Sequence, residues 1–599
     1  MNVRDLGGAA ALGLAAAIAS AAFPADAAAP PADSVYRNGY VYTVDAHDTI
    51  GHAFAVRGGR FVFVGGNAGV RAYIGPHTAV HDLGGRMVMP GLVDGHMHPV
   101  AGGLTLTQCN LNYERLDVAM MQSKIQACLD ATRDQEPNGW LQVGNWFQEA
   151  MLGGIKTSRA TLDALHTQRP ILVVSSFHHS ALVNSRGLAL AHITAATPNP
   201  QGGVIEHDAT GQPTGVLQDA AIDKVFAVVP EPTAAQNIAA AEAALDALRK
   251  QGVTTILDAA ADAHTMAAFA GAQKAGKLTA RVHFAVHILP PEGRDPQAAV
   301  ARARALETRF DEGPIGPKPS LTVHNVKLFL DGVVNAPAQT GAMLEPYFEN
   351  RGTAAQPDWV PGKNRGPDTY FSPTALHEIL LDAAAYGLEP HMHADGDRAV
   401  RTALDAVAAL RKRYPGRTIR AAIAHDEVVN PADFSRFAEL DAIPVLSFQW
   451  EKPAPDTIEG ARDYFGPKRY KDFELAGTLA RAGARIAYGS DWPVDALNEW
   501  FALKVGVTRT NAPDVAPEYR GRLDHDPGLT RREVLRAITM NSSYELHQDK
   551  LTGSMEPGKL ADFIVLDRNF FDIPAEDIAN IRVLQTVVGG RVVYEAGKP

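Results

Sequence analysis

Residues 324–332 read HNVKLFLDG and place one lysine, Lys327, inside an apolar run. A short apolar run that ends in Asp-Gly is typical of a buried strand. An ammonium group buried without a partner costs free energy, so it tends to become the neutral amine. The stretch therefore predicts an internal strand whose lysine has a specific task.

Seven more strand-like runs occur along the middle of the chain, with helical patterns between them. One helix opens with the capping box Thr530 and Glu533. Strand-then-helix repeats build a parallel sheet, and eight such units close into a (β/α)8 barrel. The predicted class is therefore α/β, with a TIM barrel over residues 89–548. Its predicted strands are VMPGLVDGHMHP (88–99), GVTTILDAA (252–260), ARVHFAVHIL (280–289), NVKLFLDG (325–332), LEPHMHADGD (388–397), AAIAHDEV (421–428), IPVLSFQW (443–450) and ARIAYGSDWP (484–493).

Both ends of the chain are rich in short alternating strands separated by glycine, such as AFAVRGGRFVFVGG (53–66) and LQTVVGGRVVYEAGKP (584–599). This pattern predicts one small β domain built from residues 33–88 and 549–599. The gap after the first barrel strand is too long for one helix, which predicts an insertion at about residues 104–235. Residues 333–371 are rich in Pro, Gly and Asn and are interpreted as a lid.

The first 29 residues carry Arg4, an apolar run of roughly 14 residues, and then small residues, the layout of a secretory signal peptide. We therefore expect an exported protein, periplasmic or secreted. An Ala-rich tail or one membrane helix is the alternative, although the run is short for a span. The net charge is −11, with acidic and basic residues mixed, which argues against a nucleic-acid partner.

The chain has two cysteines, Cys109 and Cys128. In an exported protein such a pair can form one disulfide, or the two can be separate buried thiols. Spacing alone does not decide between these alternatives.

Reactive side chains follow several of the predicted strands. His96 and His98 are two residues apart, so on a strand their side chains point the same way. His393, His425 and Asp491 end three later strands. Barrel enzymes place their chemistry at the carboxyl ends of the strands. The pattern therefore predicts one site, with imidazoles and a carboxylate able to hold metal ions.

These motifs resemble the metal-dependent amidohydrolase superfamily, and three longer ones resemble its amidohydrolase family 3 branch, which includes N-substituted formamide deformylase-like enzymes. The superfamily motifs are MPGLVDGHMHP, VKLFLDG, HADGDRAV, AAIAHDE and AYGSDWPV; the branch motifs are HHSALVNSRGLALAHIT, GGVIEHDATGQPTGVL and GSMEPGKLADFIVLD.

The resemblance implies a distorted barrel, a β-sandwich from both termini, and two divalent metal ions, most often zinc. Iron, manganese, cobalt or nickel would also accept these ligands. It further implies that Lys327 is an N6-carboxylysine that bridges both ions. The other implied ligands are His96, His98 and Asp491 for the first ion, and His393 and His425 for the second.

The chemistry of Lys327 agrees with that role. Burial favours the neutral amine, which reacts with carbon dioxide to form an anionic carbamate. The alternative is an ion pair with a buried acid, for which Asp331 is the nearest candidate in sequence.

The expected function is hydrolysis of a C–N bond in an amide-type, N-acyl or N-formyl small molecule. A metal-bridged hydroxide attacks the carbonyl, and Asp491 shuttles its proton to the leaving amine. The alternatives are an ester or lactone hydrolase, a mononuclear deaminase, or a metal-bearing binding protein. A homo-oligomer is left open.

Substrate contacts are expected from the loops and the insertion. His179, in the branch motif HHSALVNS, is expected to contact the substrate or its tetrahedral intermediate, with a structural hydrogen bond as the alternative. Trp146, Trp492, Phe147 and Trp450 are candidates for an apolar pocket, although aromatic side chains are more often core. Further expectations concern His391, placed deeper in the barrel; Asp397 and Arg398, as a local ion pair; and His207, His287 and His324, as structural residues.

Overall fold

The computed structural model describes residues 30–134, 139–152, 157–200, 203–353, 355–523 and 525–598. The predicted signal peptide, residues 1–29, lies outside the described residues. In the described part, no helix has the length and apolar character needed to cross a membrane.

Eight parallel strands form the central sheet, and each neighbours the next in chain order. All eight predicted strands are confirmed. The eighth strand approaches the first, since Asp491 N donates to His96 O over 2.8 Å and nearly closes the barrel. Barrel strands one to eight are Leu92–Met97, Val253–Ala261, Arg281–His287, Leu321–Phe329, Glu389–Ala394, Ala422–His425, Ile443–Leu446 and Ala487–Tyr488.

Helices pack around the sheet and bury the main apolar core between the two layers. The predicted capping box is confirmed, because Thr530 accepts from Glu533 N, and Thr530 N donates to the Glu533 carboxylate. The principal helices around the barrel are Ala234–Gln251, Ala263–Lys274, Pro296–Phe310, Pro373–Ala385, Asp397–Arg413, Phe434–Leu440, Ala476–Arg481, Glu499–Thr508 and Arg531–Arg536.

The two ends of the chain share a six-stranded sheet, which lies next to a four-stranded sheet. Aromatic side chains join the two sheets; the rings of Phe54 and Phe563 are 4.9 Å apart. The six-stranded sheet contains Tyr40–Tyr42, Ile50–Gly51, Met87–Pro90, Phe563–Leu566, Val583–Val588 and Arg591–Glu595. The four-stranded sheet contains Ser34–Arg37, Ala53–Arg57, Arg60–Gly65 and Ala79–Asp82.

A second six-stranded sheet fills the predicted insertion between barrel strands one and two. Cys109, on its edge strand, is disulfide-bonded to Cys128 on helix Val118–Ala131, which resolves the open question about the two cysteines. The strands are Cys109–Asn110, Leu141–Trp146, Ile171–Ser175, Ser180–Val183, Gly203–His207 and Pro213–Asp219. The other helices of this region are Pro99–Thr107, Arg159–Asp163, Ser185–Leu190 and Asp223–Phe226.

The segment interpreted as a lid packs against barrel loops. It contains one short hairpin, Phe348–Asn350 with Trp359–Pro361. Its buried Tyr347 belongs to a cluster with Phe465 and Phe473. This segment therefore has its own packed contacts; its movement as a lid stays a prediction.

Candidate metal centre

Two histidines and one aspartate meet where barrel strands one and eight end. His96 Nε2 and His98 Nε2 each lie 3.2 Å from Asp491 Oδ1. Asp491 adopts a left-handed backbone conformation, with φ of 53°. The turn that follows strand eight therefore presents this carboxylate to both imidazoles.

A second group lies where barrel strands five and six end. The ring centroids of His393 and His425 are 4.6 Å apart. Asp395 joins them, and the three residues bring one nitrogen or oxygen atom each within 4.8 Å of one another. The His425 ring centroid also lies 4.7 Å from that of His96, so the two groups are neighbours.

Lys327 is fully buried beside the first group, with Nζ 3.4 Å from His96 Nε2. Burial lowers the pKa of Lys327 to about 7, although nearby carboxylates of Asp491 and Asp395 act to raise it. A large fraction of the neutral amine is therefore present near pH 7.

Asp331, the alternative partner for Lys327, has a different role. Its carboxylate accepts backbone hydrogen bonds from Ala342, Asp395 and Gly396. Burial raises the pKa of Asp331 to about 7 despite these bonds. Asp331 therefore organises the loop after barrel strand five.

His391 lies beneath the first group, deeper in the barrel, as the sequence indicated. Its Nε2 is 2.7 Å from His96 Nδ1, and its Nδ1 is 3.2 Å from Glu545 Oε1. The contact between the two imidazoles fixes the ring orientation of His96, and Glu545 lies beside the other nitrogen of His391 without an aligned hydrogen bond.

The donor set fits divalent metal ions. Burial holds the pKa of His96, His393 and His425 well below the usual range, which favours neutral imidazoles. Burial acts to raise the pKa of Asp491, but the close approach of His98 and nearby positive charges outweigh it and lower that pKa to about 2. Among the described residues, Asp491 Oδ1, His393 Nδ1 and His425 Nδ1 are buried without an aligned hydrogen bond. Zinc and similar ions bind neutral imidazoles and ionised carboxylates whose lone pairs are not used in hydrogen bonds.

A cavity of about 420 Å³ opens onto both groups and is closed on one side by the insertion. His179 is in its wall, with Nδ1 2.6 Å from Asp219 Oδ1. Much of the remaining wall is apolar or aromatic, including Phe177, Phe329 and Trp450. The cavity suits a small molecule with an apolar portion.

Comparison with known proteins identifies the family of this chain. A model of the amidohydrolase family matches residues 79–594, which contain every barrel strand and both groups of metal-binding side chains. The chain belongs to the amidohydrolase family. It is accordingly a hydrolase that acts on C–N bonds, and its chemistry is metal-dependent hydrolysis.

Two relatives of this amidohydrolase match along nearly their whole lengths. Protein LONG AFTER FAR-RED 3 of Arabidopsis thaliana is 26% identical over 575 residues, which cover 94% of this chain and 92% of the relative. N-substituted formamide deformylase of Arthrobacter pascens is 25% identical over 574 residues, which cover 94% and 98%.

Solved structures also share the fold of this chain. An uncharacterized metal-dependent hydrolase from Pyrococcus horikoshii superposes with a TM-score of 0.69 at 20% identity, over 90% of this chain and 99% of the other. At that identity the likeness establishes the fold alone.

Two tryptophans expected in the substrate pocket of the amidohydrolase lie elsewhere. Trp146 is fully buried in the insertion core, where its Nε1 is 3.5 Å from Met151 Sδ. Trp492 is 3% exposed and covers Gly102. Within the described part of the chain, neither lines the cavity, because Trp146 packs among the apolar side chains of the insertion and Trp492 packs on Gly102. Trp450 does line it and stacks on His425 at 5.4 Å.

The predicted ion pair between Asp397 and Arg398 is wrong. Asp397 accepts from Leu344 N over 2.7 Å, while Arg398 Nη1 lies 3.4 Å from Asp368 and its Nη2 donates to Pro367 O. The two residues do not pair because consecutive side chains on a helix point in different directions. Each instead contacts the segment interpreted as a lid.

Several carboxylates of the site were missed by the sequence analysis. Asp395 joins the second histidine group, Asp258 and Glu427 line the cavity, Asp219 holds His179, and Glu545 lies 3.2 Å from His391. Asp395 and Glu427 lie within the motifs HADGDRAV and AAIAHDE. Their position directly after a barrel strand could have identified them as residues of the site. Asp219 and Glu545 come from distant segments and carried no such signal.

Proposed function

We propose that this amidohydrolase cleaves an amide-type C–N bond, in an N-acyl or N-formyl compound, at a centre of two divalent metal ions. The observation that carries the proposal is the pair of adjacent histidine groups, with buried Lys327 next to one of them and a cavity in front. Zinc is the ion that best suits the donor set. The proposed ligands are His96, His98, Lys327, His393, His425 and Asp491.

We assign the bridging role to a carboxylated Lys327. A protonated Lys327 would add a cation to a region that must already hold two positive ions, and a neutral Lys327 would bring no negative charge to balance them. Addition of carbon dioxide replaces that amine by an anionic carbamate with two oxygen donors. The complete burial of the side chain protects such a group from water.

Each residue then has a defined task. Divalent ions held by these ligands would polarise a substrate carbonyl and lower the pKa of a bound water. Asp491, ionised and 3.2 Å from both histidines of strand one, accepts a proton at its carboxylate oxygen and returns it to the leaving nitrogen. His391 keeps His96 in place from below.

His179 approaches the cavity from the insertion and is oriented by Asp219. The carboxylate holds the Nδ1 proton, which leaves Nε2 for a substrate atom. We assign His179 the task of contacting the substrate carbonyl and its tetrahedral intermediate. The insertion is thus part of the active site.

The Arthrobacter relative is named for N-substituted formamides, and this class is the first to test. The aromatic walls near Phe177, Phe329 and Trp450 favour an apolar substituent on the substrate nitrogen. Ester or lactone hydrolysis is the second candidate, because the same centre attacks those carbonyls. A mononuclear deaminase is disfavoured by Lys327, and a binding protein by the complete ligand set.

The decisive experiment is turnover of a panel containing formamides, longer N-acyl compounds, esters and lactones, with metal analysis of the same sample. Turnover of the amides with two metals per chain supports the proposal. Hydrolysis confined to esters or lactones selects the second candidate. Bound metal with no turnover on any class supports the binding protein.

We further propose that the protein is exported, that residues 1–29 are its signal peptide, and that residues 33–88 and 549–599 form a β-sandwich domain. The disulfide between Cys109 and Cys128 supports an oxidising compartment. The aromatic contacts between the two terminal sheets support the sandwich.

A further inference from the structure

A second set of metal-binding side chains lies at the opposite mouth of the barrel. Glu389 is the first residue of barrel strand five, whereas His393 of the candidate active site comes four residues later. At about 3.3 Å per residue, the two positions are about 13 Å apart. The set is therefore separate from the active site.

Three residues from three segments make up this set. His547 Nε2 lies 3.0 Å from Glu389 Oε1. The His324 ring, on barrel strand four, meets the His547 ring edge to face with centroids 5.0 Å apart. One nitrogen or oxygen atom of each residue lies within 4.8 Å of the other two. Around a tetrahedral zinc with bonds of about 2.1 Å, ligand atoms are roughly 3.4 Å apart. Small rotations of the two imidazole rings would therefore bring the three ligand atoms to these distances.

The ordinary alternative is a hydrogen bond between His547 and Glu389. The geometry argues against it, because His547 Nε2 is buried and forms no aligned hydrogen bond among the described residues. Next to this set, on barrel strand three, His283 is fully buried with neither ring nitrogen in an aligned hydrogen bond there. Unfilled buried nitrogens are rare in folded proteins and call for an occupant.

We propose that His324, Glu389 and His547 bind one divalent cation of the zinc type at the amino-terminal mouth of the barrel. Two imidazoles and a carboxylate are a donor set that zinc accepts. This proposal replaces the earlier interpretation of His324 as a structural residue.

The ion would fasten the segment after helix Ser542–Glu545 to two barrel strands. The segment follows directly on Glu545, whose Oε1 lies 3.2 Å from Nδ1 of His391 beneath the candidate active site. At its other side, Arg420 Nη1 contacts Asp549 at 2.7 Å, and Arg420 N donates to the Glu389 carboxylate. Metal binding would thus stabilise the base of the barrel.

The test compares zinc content and zinc titration by calorimetry in the full-length protein, the His547→Ala variant and a control. His264→Ala is the matched control, since it removes an exposed histidine from helix Ala263–Lys274. We expect the His547→Ala variant to hold one zinc per chain less than the other two proteins. Its melting temperature should also respond less to added zinc.

If the His547→Ala variant does not fold, His324→Asn replaces it in the same comparison. Equal zinc content and equal zinc-dependent stabilisation in variant, control and wild type would overturn the proposal. Hydrolysis is measured in parallel on the same proteins. If the wild type hydrolyses none of the amides, the proposed function is wrong, but the difference in zinc content between wild type and His547→Ala still tests this second metal site.

Discussion

Asp491 is the residue on which the proposed chemistry depends most. It is buried, its pKa is lowered to about 2, and its Oδ1 lies 3.2 Å from two histidines. The sequence placed this aspartate after the eighth strand, but the left-handed turn that aims it became visible only in the structure. The sequence was enough to predict that a carboxylate ligand follows this strand. The direction in which the Asp491 side chain points depends on the conformation of the turn.

The substitution Asp491→Asn should lower kcat by about 10²–10⁴, since a neutral amide cannot carry the proton. Most of the metal should remain, because the other proposed ligands are intact. Steady-state rates and metal analysis check this result. Asp514→Asn, a similar change at an exposed position, should keep normal rates. Near-normal turnover in Asp491→Asn would rule out its role as proton carrier.

At the scale of elements, the eight barrel strands and the presence of the insertion were predictable, whereas the strand pairing inside the insertion was not. Each barrel strand carries a run of apolar residues ending in a polar motif, and that local signal was sufficient. The strands of the insertion pair in an order set by distant contacts, such as Ser180–Val183 with Pro213–Asp219. The prediction for Trp146 failed for this reason, since an aromatic residue on such a strand can face either the core or the cavity.

The insertion supplies His179, and the strand Pro213–Asp219 supplies the carboxylate that orients it. We expect Asp219→Asn to lower kcat/KM by about 10-fold to 100-fold with unchanged metal content, because the imidazole loses its fixed orientation. Asp223→Asn, on the neighbouring helix, is the control and should behave as wild type. Equal kinetics in both variants would show that the pair is only structural.

The disulfide joins the insertion's edge strand to its helix across 19 residues of sequence. Removing it by replacing both Cys109 and Cys128 with serine should lower the free energy of unfolding of this region by about 3 kcal/mol. Urea denaturation followed by circular dichroism measures the change. Reduced wild-type protein should match the variant, and an unchanged midpoint in both would contradict a stabilising bridge.

At the scale of the whole molecule, a buried ion pair connects the barrel to the sheet shared by the termini. Arg281, on barrel strand three, donates from Nε and Nη2 to the two carboxylate oxygens of Asp562, over 2.7 and 3.1 Å. Its Nη1 also donates to the carbonyls of Gly316 and Lys318. The sequence predicted both parts of the molecule, but it gave no sign of this connection, because the partners are 281 residues apart.

We expect Asp562→Ala to lower the free energy of unfolding by about 3–5 kcal/mol, since it leaves the guanidinium buried without its anion. Asp130→Ala breaks the exposed pair with Arg133 and should cost less than about 1 kcal/mol. Chemical denaturation of both variants tests the difference. Similar losses of unfolding free energy in the two variants would show that burial does not make the Arg281–Asp562 ion pair stronger than an exposed pair.

The central claim is that Lys327 is carboxylated and bridges two metal ions between the two histidine groups. A crystal structure of the zinc-loaded enzyme, with anomalous diffraction collected at the zinc edge, tests it most directly. We predict two anomalous peaks, one beside His96, His98 and Asp491 and one beside His393 and His425, with continuous density for a carboxyl group on Lys327 Nζ between them. An unmodified lysine beside a single zinc peak at this site would contradict the account.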